Sequence, residues 1–76
     1  MEASKLREAA NRAPFRKFTV NLADGRRVVV EHRAFISISP EGRSCVVWDE
    51  NDSMELIDVR LIQSVTVAPP QEADAA

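Results

Sequence analysis

The spacing of apolar positions changes once along the chain, and the change divides it in two. Between Glu2 and Arg12 the apolar residues Ala3, Leu6 and Ala10, with Ala13 beyond them, recur at helical intervals. Ser4 stands where it can cap such a helix, and Pro14 ends it, because the residue before a proline avoids the helical region. Leu6 is the only large apolar side chain in this segment, so the helix needs a surface to pack on. From Phe15 the period becomes two. Phe18, Val20 and Leu22 alternate with Lys17, Thr19 and Asn21, as in a strand with one buried face.

The loop after that strand decides the register of the next. A two-residue Asp24-Gly25 turn sets Val28 and Val30 opposite Thr19 and Asn21, on the wrong face. A three-residue loop, Ala23 to Gly25, pairs Leu22 with Arg26, Val20 with Val28 and Phe18 with Val30, and unites the strongest apolar residues. Such a loop needs a left-handed residue at its third position, where Gly25 stands. The three-residue version is the one expected. It turns Arg26 inward at the rim of the sheet and Arg27 outward, on the face that also carries Lys17.

Further runs follow at short intervals. "AFISIS" predicts a strand with Ile36 and Ile38 on one face and Phe35 on the other. "SPEG" reads as a type I turn with Pro40 at its second position. "RSCVVWDE" and "MELI" are two strands joined through "NDS". "DVRLI" predicts one tight helical turn capped by Asp58, and "QSVTV" is a last strand carrying Val65 and Val67. The expected fold is therefore mainly β: a short N-terminal helix followed by a five- to six-stranded antiparallel small barrel. Residues 1–14 form the helical segment and 15–68 the barrel domain. Residues 69–76, within "APPQEADAA", have no large apolar side chain and read as a disordered tail.

Size makes this barrel a small one. A 76-residue chain of this kind buries only about 60% of its unfolded surface, and its core supplies roughly 3–5 kcal/mol. With Cys45 the only cysteine and His32 the only histidine, neither an internal disulfide nor a closed zinc site is available to reinforce it. Self-association is the remaining aid, and a homo-oligomer or a protein partner is expected. One unpaired cysteine suits a reducing cytoplasm, and no run is apolar enough to cross a membrane or to serve as a secretory signal. A cytoplasmic protein without a membrane role is the expectation.

The formal charge is −2, but its distribution is uneven: residues 1–43 carry a balance of +4 and residues 44–76 one of −6. The charges either intermix over a solvated surface or make a bipolar one that binds an anion or stacks end to end with another copy. Arg16, Lys17, Arg26, Arg27 and Arg33 are the candidates for nucleic-acid or anion contact. The alternative role for these cations is to keep sheet edges from pairing with neighbours.

Catalytic chemistry finds little to use. No nucleophile elbow surrounds any serine, and His32 reads as a neutral residue at a strand end. "DENDS" offers oxygen ligands at alternate positions. Met54 and Arg60, however, stand where a calcium loop needs glycine and a bidentate glutamate, so a polar turn is the better reading. With two glycines in the chain there is no phosphate-cradling loop. No enzyme activity, cofactor or metal is expected. Trp48 reads as a core residue, with an interface contact or a stacking platform as alternatives. Cys45 reads as a small buried apolar group.

The order of helix, strand, "LADGR" turn, bent strands, one-turn helix and final strand resembles the Sm-like, Hfq-type small barrels. Val20, Leu22, Asp24, Gly25, Arg26, Phe35 and "LIQSVTV" carry the likeness, which runs from about Phe15 to Ala68. The resemblance implies an SH3-like barrel, a ring of subunits, and RNA binding around its pore. The chain departs from that pattern where Val28, Val29 and Val30 replace a bending glycine, and where Asp58-Val59-Arg60 replaces the closing motif. Its texture is also similar to small bacterial proteins built on "DGR…V.H..F". The sequence thus supports two functions: a non-enzymatic interaction module, or an Sm-like RNA-binding protein using the basic residues above.

Overall fold

The structure, a computed structural model, describes residues 2–69. Helix α1 (Ala3–Asn11) precedes strands β1 (Phe18–Leu22) and β2 (Arg27–Val30), a 3₁₀ turn (Arg33–Phe35), and strands β3 (Ile36–Ile38), β4 (Ser44–Trp48) and β5 (Met54–Asp58). A second 3₁₀ turn (Val59–Leu61) leads into β6 (Ile62–Val67). The strands form two antiparallel three-stranded sheets, ordered β2-β1-β6 and β3-β4-β5. No closed barrel is formed by these ladders: the two sheets are separate hydrogen-bonded units.

The first hairpin has the three-residue loop. Phe18 lies opposite Val30 and Val20 opposite Val28, the Leu22 N–H donates to Arg26 O at 2.9 Å, and Gly25 is left-handed at φ 95°. Phe18, Val20, Leu22 and Val30 are all buried. One core serves both sheets and the helix: Leu6, Ala9 and Ala10 from α1, the β1 and β2 residues just named, Cys45 and Val47 of β4, Ile57, Val59 and Ile62.

Helix α1 finds its packing surface at the turn between β3 and β4. Arg7 Nη2 donates to the carbonyls of Ser39 (2.8 Å) and Pro40 (3.1 Å). Gly42 is left-handed at φ 73°, and a Cβ there would stand 2.5 Å from the Ala3 Cβ. Only glycine allows both that backbone conformation and that close approach.

Several expectations are corrected. Ser4 lies inside the helix and does not cap it; Glu2 holds the cap position without a side-chain cap bond, and the Ser4 hydroxyl donates to the Glu2 carboxylate. The third buried helix position is Ala9, whereas Ala13 is exposed beyond the helix end. Phe35 belongs to a 3₁₀ turn and not to β3, where its ring meets His32 edge-on at 5.1 Å. Trp48 is not a core residue: along β4 the inward positions are Cys45 and Val47, and Trp48 lies half-buried on the outer face. The Asp58 cap forms as expected, its carboxylate accepting from the Arg60 N–H. Of the expected tail, residues 70–76 lie outside the described residues.

Candidate functional site

The outer face of the β3-β4-β5 sheet is built from consecutive rungs. Trp48 lies opposite Met54 and Val46 opposite Leu56, so four apolar side chains share a surface that faces away from the core. Met54 is 61% and Leu56 68% exposed. Exposed Val29 of β2 continues this surface across the gap between the sheets, where β2 and the β4–β5 hairpin enclose a groove of about 460 Å³. Val28, Val29, Val47, Trp48 and Met54 supply its apolar lining, and Arg27, Asp49 and Glu50 part of its rim. Trp48 was legible as an apolar residue in sequence; that it lines this groove follows from which strand face the core took.

The turn at the end of this hairpin uses its carboxylate internally. Asp49 Oδ1 accepts from the N–H groups of Asn51 (2.8 Å) and Ser53 (3.0 Å), and Asp52 takes a left-handed φ of 67°. These bonds account for the polar residues of "DENDS" as a turn. Among the described residues, no group of three or more His, Cys, Asp or Glu side chains is arranged to hold a metal ion.

The five candidate cations are distributed over different parts of the surface. Arg26 bridges the sheets: its Nη1 donates to Glu55 Oε2 at 2.6 Å and its Nε to Asp24 Oδ2 at 2.9 Å. Both carboxylates stabilise the guanidinium and raise its pKa, and the Arg26 N–H and side chain in turn hold the Asp24 carboxyl below its ordinary range. Lys17 is 3.9 Å from Glu31 in a side pocket with Phe15 and His32. Arg27 shares the outer face with Lys17 but sits at its other end: Arg27 is level with Asn21, and Val29 with Thr19. Four residues of strand separate the rungs of Lys17 and Arg27, roughly 13 Å. The two share a face, as the alternation predicts, but do not stand side by side.

Arg33 lines a second groove, beside α1. It donates from Nη2 to Asn11 Oδ1 at 3.0 Å, and the groove walls include Arg7, Ala10, Ile36 and Ile38. Arg7, absent from the sequence-based candidates, joins Arg33 because α1 lies beside the end of β3, where Arg7 donates to the Ser39 and Pro40 carbonyls. Arg16 is half-buried just before β1. Cys45 is buried, and desolvation pushes its thiol up to about 11, so it is a packing group with little thiolate near neutrality.

Comparison of the chain with protein-family models, with curated proteins and with solved structures finds no match in any of the three. No helix among the described residues is long and apolar enough to cross a membrane.

Proposed function

We propose that this protein is a non-enzymatic interaction module, which associates with another copy of itself or with a protein partner through the outer surface of its second sheet. The observation that carries this reading is the apolar surface of Val46, Trp48, Met54 and Leu56, continued by Val29 along the groove. Water-exposed side chains of this size on adjacent rungs gain free energy when another surface covers them. The order of elements supports a finer reading of the fold. The two sheets are taken as halves of an SH3-like, Sm-like small barrel, with the Arg26–Glu55 ion pair bracing one sheet against the other.

Light scattering from micromolar to millimolar concentration tests self-association. The unmodified protein gains mass with concentration or on adding its partner, and Met54→Lys with Leu56→Lys suppresses the gain without lowering the melting temperature. A surface whose double substitution changes neither self-association nor partner binding is not the interaction face.

A second reading, nucleic-acid binding, is favoured by one observation: among the described residues, the groove beside α1 is lined by Arg7 and Arg33 and by no carboxylate. Titration with labelled RNA and DNA at low and moderate salt separates the two readings. Salt-dependent binding weakened by Arg33→Glu supports the second, and binding absent at low salt removes it.

A further inference from the structure

The edge of the first sheet beside the groove is open. β1 is the central strand of that sheet, so among the described residues β2 has a ladder partner on one side only. The Leu22 N–H to Arg26 O bond marks 22/26 as a hydrogen-bonded rung. Alternation along an antiparallel pair then makes 20/28 and 18/30 hydrogen-bonded rungs. The peptide groups of Arg27 and Val29 therefore point away from β1, toward the groove. Four residues of edge span roughly 13 Å, the length of three to four residues of extended chain.

The surroundings of this edge select an occupant. Val29, Trp48 and Met54 offer apolar contact on the groove side, and four carboxylates line it against one cation, Arg27. Glu55 is taken by Arg26, and Glu31 stands near Lys17. Asp49 and Glu50 have no ion-pair partner among the described residues. The chain's own last residues, which include Glu72 and Asp74 and no cation, have the wrong charge for this groove, and so does a nucleic-acid backbone.

We propose that the open edge of β2 takes an extended, cationic segment of a partner protein as a fourth strand of the first sheet. Apolar side chains of the guest lie on Trp48 and Met54, and its lysines or arginines meet Asp49 and Glu50. This rests on the interaction-module reading and names its partner class. Backbone hydrogen bonds to Arg27 and Val29 give the segment its extended form, while the walls select its side chains. Charge complementarity at the rim adds specificity and salt dependence.

Trp48 is the only tryptophan, so its emission reports occupancy directly. The probe is a heptapeptide alternating lysine and valine, capped at both ends and titrated into the full chain to about 2 mM, the range of weak strand addition. The expected result is a saturable change in Trp48 emission, weakened by salt. The glutamate–valine counterpart and the same lysine–valine peptide methylated at every backbone N–H both bind at least about tenfold more weakly. Glu50→Lys, remote from the core, produces a similar loss. Val29→Pro, which removes an edge donor and no bond to β1, does so as well. Equal binding of the glutamate peptide overturns the cationic selection, and equal binding of the methylated peptide overturns strand addition. If no peptide changes the emission while the protein still self-associates through Leu56, this proposal falls and the interaction module stands. If neither peptides nor increasing concentration change anything, both fall.

Discussion

Away from Val29 at the β2 edge, the outer faces of the two sheets are opposites. On the first sheet, Thr19 and Asn21 of β1 lie level with Thr66 and Ser64 of β6. Asn21 Nδ2 donates to both hydroxyls, at 3.1 Å to Ser64 and 3.0 Å to Thr66. On the second sheet the corresponding positions are Val46, Trp48, Met54 and Leu56. Both sheets bury their inner faces in one core, and the outer apolar residues lie outside it. A solvated face satisfies its polar groups with one another and with water; an apolar one gains only when something covers it. The contrast is between a face whose polar groups satisfy one another and a face whose apolar side chains stand exposed.

Substitutions placed on either side of each sheet break or sharpen this contrast. The largest effect belongs to the shared core: replacing Phe18, 1% exposed on β1, by alanine should cost about 3–5 kcal/mol, as much as so small a core supplies, so that the folded baseline is lost in urea unfolding. On the outer face of the first sheet, Asn21→Ala removes two exposed hydrogen bonds and should cost about 1 kcal/mol by the same measurement. On the outer face of the second, Leu56→Lys should leave stability within about 0.5 kcal/mol while reducing association seen by light scattering. A loss at Leu56 as large as that at Phe18 would show that the supposed binding face is core.

The smallest effect is a pH dependence at the end of the second sheet. The side chain of Arg60 donates to Asp58, the Arg60 N–H adds a further bond, and the Asp58 pKa falls from 3.8 to about 2. A carboxyl with a folded pKa below its unfolded value contributes its full stability above about pH 4. That contribution disappears as the pH falls from 4 toward 2. Asp58→Asn keeps a capping oxygen but no charge, so its stability should decline less than that of the unmodified protein over this interval. Parallel acid unfolding curves for the two proteins would remove the role of the Asp58 charge.

The features legible in sequence share a short range. The register of the first hairpin followed from the alternation around Ala23–Gly25, because the competing loop buried the wrong residues. The turn at Asp58 followed from a carboxylate two residues before the N–H that it accepts. The helix boundaries were nearly right for the same reason, with Pro14 beyond its end. Trp48 failed as a core residue because "SCVVW" is apolar at successive positions, so it carries no alternation from which an inner face can be chosen. Phe35 failed as a strand residue because nothing in "RAFISIS" distinguishes a 3₁₀ turn leading into a strand from the strand itself.

What the sequence by itself determined is the set of local elements: a helix, a glycine-dependent hairpin, short strands and a capped turn, each specified by interactions a few residues apart. What only the tertiary structure decided is which face each strand buries when both are apolar, and which distant groups meet. Cys45 and Val47 faced the core and Trp48 the groove because the second sheet packs against the first sheet and α1. Arg26 was removed from the pool of free cations by Glu55, 29 residues away. Arg7 and Arg33 came to share a groove. Such choices depend on the packing of whole sheets, where burying one apolar face of a strand leaves the other exposed.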